Sequence, residues 1–208
     1  MKEVAQRRSD ALLVLVRHGE SSGNIGGVMS SNFDTHPLTA KGEAQAGKIA
    51  LELAKLRVDR IVSSPVLRAR QTAGIISDEL GLEVTIDDRL RERGFGLIEG
   101  TVAGNYVWRF LKDKGIETYE EIAARVNSFI GKLKPGVTVA VTHGDTMKAP
   151  ILSILGLDEI SGFGIRHYNT NIAMIYVHGG DRSIITFGMP LLNEDVLQRV
   201  PEKFKAVQ

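Results

Sequence analysis

Five residues carry the chemistry this chain could perform: Arg17, His18, Arg68, Glu92 and His143. In "ALLVLVRHGESSGN", residues 11–24, six apolar residues run straight into Arg17, His18 and Gly19. In "VTVAVTHGD", residues 137–145, a second apolar run ends in His143. A neutral imidazole is a good nucleophile, and its ordinary pKa of about 6.5 keeps it neutral near pH 7. Arginine forks match phosphate oxygens. Arg68 falls in the first turn of an expected helix, where free N–H groups and the dipole favour an anion. Glu92 could deliver a proton to a leaving oxygen. Together these groups would make a phosphate pocket with a nucleophile and an acid, in which the protein's work is positioning and charge stabilisation.

Such groups can meet only if the elements before them end on one edge. The pattern predicts a buried strand at residues 11–16, then a long Gly-, Ser- and Asn-rich loop over 19–38. Thr39 is a plausible N-cap for a helix to about Leu56, with Ala46, Ile49, Ala50, Leu53 and Ala54 at helical spacing. "DRIVSSP" reads as a strand, with Ser64 as N-cap and Pro65 opening the next helix. That helix would bury Ala69, Thr72, Ala73, Ile76 and Leu80. A short strand "LEVTI" and the loop "RLRERGFGLIEGTVAG" follow. Thr118 and Glu121 form a capping-box pattern ahead of Ile122, Val126, Phe129, Ile130 and Leu133. After the strand that ends at His143 comes a helix to about Leu155, with Asp145 as its expected N-cap, Pro150 inside it and Gly156 beyond its end. Two last strands, near Asn171–Val177 and Ser183–Phe187, are joined by "HGGD". Strands alternating with helices predict an α/β fold: a three-layer α/β/α sandwich with a mostly parallel central sheet. In such sheets ligands bind beyond the carboxyl ends of the strands.

Composition narrows the options. The chain has 208 residues, a length suited to a single domain over 1–208. Apolar residues make up 43% and charged residues 25%, enough for a core. The net charge of +1, without a basic stripe, argues against a nucleic-acid partner. The absence of cysteine removes disulfides, thiolate metal sites and a cysteine nucleophile. The charged start "MKEVAQRRSD" and the six apolar residues after it are unlike a signal peptide, and no run suits a membrane helix. The expectation is a cytoplasmic protein without a membrane partner, with a homodimer as the default assembly.

The motifs resemble those of the histidine phosphatase superfamily, also called the phosphoglycerate mutase-like family. "LVRHGES" resembles its signature, "HPLTAKGEAQA" the opening of its first long helix and "SSPVLRARQTA" its second block. "RLRERGFGLIEG" resembles its acid-bearing loop and "AVTHGD" its second-histidine block. The blocks stand in family order from about Leu12 to Tyr176. The resemblance implies that His18 becomes phosphorylated, that Arg17, Arg68 and His143 hold the phosphoryl group, and that Glu92 is general acid and then base. Asn24 matches a phosphate-binding position, and Ser21 and Arg93 are further candidate contacts. No metal is implied.

The same pocket can serve a phosphatase, where water takes the phosphoryl group, or a mutase, where a substrate hydroxyl does. The stretch from Glu92 to His143 is compact and lacks an adjacent arginine pair, and "THGD" is closer to the phosphatase form. A phosphatase acting on a small phosphorylated metabolite without a cofactor is therefore expected. A mutase primed by 2,3-bisphosphoglycerate is the alternative, with Arg93, Arg109, Lys112 or Lys148 supplying charge, and a non-catalytic phospho-ligand binder comes third. His36, His167 and His178 read as structural or surface residues, Met147 and Met174 as core, and Trp108 as helix packing or a pocket wall.

Overall fold

The computed structural model describes residues 10–103, 114–163, 165 and 167–206. Trp108, Arg109 and Lys112 lie outside the described residues. Six strands form one sheet: β1 (Ala11–Arg17), β2 (Val58–Ser63), β3 (Val84–Ile86), β4 (Gly136–Thr142), β5 (Ile172–His178) and β6 (Asp181–Met189). Their order is β3-β2-β4-β1-β5-β6. The first four run parallel, and β5 and β6 add an antiparallel hairpin beside β1. Gly179 and Gly180 close that hairpin with positive φ angles of 60° and 99°, a backbone state glycine adopts without a steric penalty.

Strand β1 is paired on both edges and covered on both faces, so Leu12 through Val16 are fully buried. A strand covered on both faces reads as an unbroken apolar run, which is why residues 11–16 do not alternate. Its side chains still point alternately. Leu12, Val14 and Val16 pack with Ile49 and Leu53 of α2 (Ala40–Leu53) and with Ala69, Ala73 and Ile76 of α3 (Leu67–Leu80). Leu13 and Leu15 pack on the opposite face with Ile122, Val126 and Ile130 of α4 (Tyr119–Ile130) and with Met147 and Ile151 of α5 (Gly144–Leu155). Each such aliphatic side chain contributes roughly 1.5–3 kcal/mol by leaving water. The result is the expected sandwich, with Met147 and Met174 in its core.

Helix ends match the sequence in part. Thr39 caps α2 by accepting from Gly42 N, and Thr118 and Glu121 cap α4 reciprocally. Gly156, at φ 66°, ends α5 beyond Pro150. Two expected caps are corrected. Val66, not Ser64, is the N-cap residue of α3, because the helix opens only at Leu67, beyond Pro65; the Ser64 hydroxyl accepts from Val66 N and pairs with His143 Nε2. His143, not Asp145, is the N-cap residue of α5, because Asp145 already lies inside the helix and its carboxylate is held by Tyr119 and Lys148. The 19–38 loop also contains a short helix, α1 (Ser22–Gly26), made by a Ser21–Asn24 capping box too brief to show a period. Helices α6 (Glu159–Phe163) and α7 (Glu194–Arg199) complete the described set.

Gly19 and Gly42 bring the loop after β1 against the start of α2. A Cβ on Gly42 would stand 2.0 Å from the Glu20 carbonyl oxygen, and one on Gly19 would stand 2.4 Å from the Gly42 carbonyl oxygen. Both obstacles are backbone, which cannot yield as a flexible side chain would. Gly19→Ala and Gly42→Ala are therefore expected to lower unfolding stability by about 1–3 kcal/mol in urea titration, whereas Gly47→Ala, with nothing near its Cβ, should stabilise α2.

Candidate active site

The ends of β1, β2 and β4 lie on one edge of the sheet, and the residues just past them converge. His18 follows β1, Arg68 lies in the first turn of α3 after β2, and His143 follows β4. Glu92 comes from the loop after β3. The His18 and His143 rings are 5.1 Å apart, centre to centre. Both histidines are buried, with Arg68 5% exposed beside them.

Hydrogen bonds define the state of His18. Its Nδ1 lies 2.7 Å from the Gly19 carbonyl oxygen, which can only accept, so Nδ1 carries the proton. Nε2 is left with a lone pair, which accepts from Arg68 Nε at 3.0 Å. Burial, and then the charges of Arg68 and Arg17, hold the His18 pKa well below its ordinary value. The ring is thus neutral, with its Nε2 lone pair facing Arg68. The backbone clamps it: His18 N donates to the Thr142 carbonyl at 2.9 Å, and Asn169 Nδ2 donates to the His18 carbonyl at 3.0 Å.

Arg68 spans the site. Its Nη2 donates to the Ser30 carbonyl at 2.9 Å and lies 3.3 Å from Glu92 Oε2. Thr72, one turn on, accepts from Gly19 N and donates to the Arg68 carbonyl, joining helix α3 to the histidine loop. Arg17 donates through Nη1 to the His167 carbonyl, while its buried Nε has no protein partner. His143 Nε2 pairs with Ser64 Oγ at 2.8 Å, and its Nδ1 lies 3.3 Å from Glu92 Oε2 without a hydrogen bond. Burial, with the charge of Arg68, also keeps His143 neutral. Burial raises the Glu92 pKa; Arg68 opposes this and Asp145 adds to it. A carboxyl held in this way is suited to proton donation.

A cavity of about 310 Å³ is lined by Arg17, Arg68, Glu92, Asn24 and Ser21 among others, while His18 and His143 are not among its lining residues. Asn24 and Ser21 are brought to it, though each is engaged in capping α1, and Asn24 Oδ1 also accepts from Asn169 Nδ2. Arg93 is not among the lining residues: it is buried behind the wall, where Nη2 pairs with Glu159 at 2.6 Å and Nη1 lies 3.5 Å from Asp145. His36 and His167, expected to be structural or surface residues, line the cavity instead. Ser64, Thr72 and Asn169 were not legible as site residues. Ser64 and Thr72 stand inside the block "SSPVLRARQTA" and Asn169 outside every quoted motif, and each acts through a contact far away in the chain.

His18, Glu92 and His143 present ligand-capable atoms within 4.8 Å of one another. Two buried guanidinium groups share that space, and their charge disfavours a metal cation and favours an anion. A neutral imidazole, converging arginine forks and a carboxyl of raised pKa beyond the strand ends of an α/β sheet suit a site to phosphoryl groups.

The comparisons agree with that class. The profile of the histidine phosphatase superfamily (branch 1) matches residues 13–189, and the chain belongs to this family. It is 32% identical over 194 residues to a 2,3-bisphosphoglycerate-dependent phosphoglycerate mutase of Thermoplasma acidophilum, covering 89% of this chain and 96% of that protein. It is 33% identical over 193 residues to a Hydrogenobacter thermophilus protein described as a phosphoserine phosphatase, covering 83% and 93%. Among solved structures it resembles a mycobacterial glucosyl-3-phosphoglycerate phosphatase bound to vanadate, at 27% identity and a TM-score of 0.76 over 86% of this chain and 98% of that one. No helix among the described residues is long and apolar enough to cross a membrane.

The buried histidines set a pH dependence. An unfolded histidine takes up a proton as pH falls through about 6.5, whereas folded His18 and His143 do not. Protons then favour the unfolded chain, so stability present above that pH is lost below it, by up to ~1.4 kcal/mol per pH unit for each group. Glu92 has the opposite sign: its raised pKa supports folding at low pH and ceases to as pH rises through its folded pKa. Urea midpoints should fall between pH ~7 and ~5.5, and His143→Asn should flatten that fall.

Proposed function

We propose that the protein is a metal-independent phosphomonoester hydrolase that works through a phosphohistidine on His18 and acts on a small phosphorylated metabolite. The observation that carries this reading is the Nδ1-protonated His18, whose Nε2 lone pair faces Arg68 Nε at 3.0 Å. The substrate phosphoryl group takes the place in front of His18 where the Arg68 fork now meets the ring. Arg17 and Arg68 bind its oxygens, and His143, through Nδ1, adds a donor. His18 Nε2 forms a bond to phosphorus as the ester P–O bond breaks, and Glu92 passes its proton to the departing alcohol. Glu92, now ionised, takes a proton from water. The water oxygen bonds to phosphorus, the P–N bond breaks, and inorganic phosphate leaves with His18 restored.

A mutase is the second reading, favoured by the likeness to the Thermoplasma acidophilum enzyme along nearly its whole length. There the phosphohistidine is discharged to a phosphoglycerate hydroxyl rather than to water. The phosphatase reading rests on the cations that the described cavity wall offers beyond the phosphoryl site. Lys148 is the one, and it is paired with Asp145. A bisphosphorylated acid needs more.

Supplying 3-phosphoglycerate with a trace of 2,3-bisphosphoglycerate separates the two: release of inorganic phosphate supports hydrolysis, and accumulation of 2-phosphoglycerate supports the mutase. His18→Ala should abolish turnover and the acid-labile phosphoenzyme. Arg68→Ala should lower kcat by about 10²–10³-fold, as for loss of a preorganised charge-stabilising donor. Activity should survive EDTA; loss that added metal restores would overturn the metal-independent step.

A further inference from the structure

The loop that carries Glu92 has no strand or helix of its own from Arg91 to Phe95. Its backbone is nevertheless gripped by side chains from other elements. Four successive carbonyls each face such a donor. Arg89 O accepts from Arg125 Nη1 at 2.6 Å, Leu90 O from Thr142 Oγ1 at 2.7 Å and Arg91 O from Thr146 Oγ1 at 2.7 Å. Arg125 Nη2 reaches Glu92 O at 3.5 Å. Beyond Glu92, Gly94 N donates to Glu117 Oε2 at 3.1 Å, and Glu117 N donates to Gly94 O at 2.9 Å.

Arg125 and Glu117 are the centre of this grip. Arg125 stands in α4 and Glu117 just ahead of that helix's N-cap, Thr118. They form a bidentate pair, Nε to Oε1 at 2.7 Å and Nη2 to Oε2 at 3.0 Å, with side chains 10% and 11% exposed. Arg91 Nη2 adds a third donor to Glu117, at 3.0 Å. A buried ion pair adds little net stability, since an apolar pair of the same size often serves as well. What it offers here is geometry: one planar fork binds a carboxylate and loop carbonyls together, which no apolar side chain can do. The grip fixes the Glu92 carboxyl, whose Oε1 accepts from Arg93 N at 3.0 Å and whose Oε2 lies 3.3 Å from both Arg68 Nη2 and His143 Nδ1. Neither Arg125 nor Glu117 is among the residues lining the cavity.

We propose that Arg125 and Glu117 are positioning residues for Glu92, holding its loop so that the carboxyl stands within reach of the departing oxygen. The proposal rests on the reading of Glu92 as the proton donor. A displacement of about 1 Å can cost as much as 10²-fold in rate, so the clamp matters only where that proton is needed.

Two esters of similar size separate this role from a merely structural one. Nitrophenolate leaves p-nitrophenyl phosphate as a stable anion, whereas the alkoxide of benzyl phosphate needs a proton. kcat/KM is the quantity to compare, because it stops at P–O cleavage and excludes the water step. Arg125→Met should lower it for benzyl phosphate by about tenfold more than for p-nitrophenyl phosphate. Arg125→Lys, which keeps the charge and loses the fork, should fall between. In a Glu92→Gln background, Arg125→Met should leave the ratio of the two esters unchanged. Equal slowing of both esters by Arg125→Met, an unchanged ratio, or a full further loss in the Glu92→Gln background would overturn the proposal. If Arg125→Met fails to fold with Glu117 left charged and buried, Arg125→Met/Glu117→Gln gives the same reading without the unpaired charge. If Glu92→Gln leaves the ratio unchanged while His18 is still phosphorylated, Glu92 is not the acid and its positioning falls with it. If neither ester is cleaved and no phosphohistidine forms, the phosphotransfer reading itself fails.

Discussion

The contact between Arg68 Nε and His18 Nε2, at 3.0 Å, is the constraint on which the site depends. A guanidinium can only donate, so the nitrogen it meets must hold a lone pair. That forces the ring proton to Nδ1, and the Gly19 carbonyl is placed to receive it. A protonated imidazole could not face Arg68 in this way, and burial beside Arg17 makes protonation less favourable still. One hydrogen bond thus sets the tautomer, the charge and the direction of the nucleophile.

Holding two guanidinium groups near a neutral ring requires a scaffold that does not relax. Strand β1 supplies it, being paired on both edges and covered on both faces. Its end is held further by backbone bonds to Thr142, Thr170 and Asn171, and Thr72 ties Gly19 to α3. The close approach of Gly19 and Gly42 completes the clamp. Conformational entropy is therefore spent in folding rather than at the moment of binding, which is the advantage of a preorganised site.

Around this centre the buried charges are arranged in two groups. Arg17, Arg68 and Glu92 surround His18 with an excess of positive charge that an anion would relieve. Arg93, Lys148, Asp145 and Glu159 form a nearly self-neutralising cluster behind the adjoining wall.

Much of this was legible in the chain. The apolar run of residues 11–16 announced a doubly covered strand, and the caps at Thr39 and Thr118 placed two helices correctly. Arg17, His18 and His143 were legible because they end or directly follow a strand, Arg68 because it opens the next helix and Glu92 because it lies in the loop after β3, all places that a parallel sheet gathers to one edge. Ser64 and Asp145 were misplaced as caps because local spacing cannot see a partner some 79 residues away in one case or 26 in the other. The same blindness hid Asn169 and made Arg93 look like a ligand contact and His167 like a surface residue. The sequence by itself determined the strand-helix alternation and which polar residues gather at the sheet edge, since both depend on short-range pattern. Only the tertiary structure decided the tautomer of His18, the partner of each buried charge and the lining of the cavity, because those depend on which distant groups share a space closed to water.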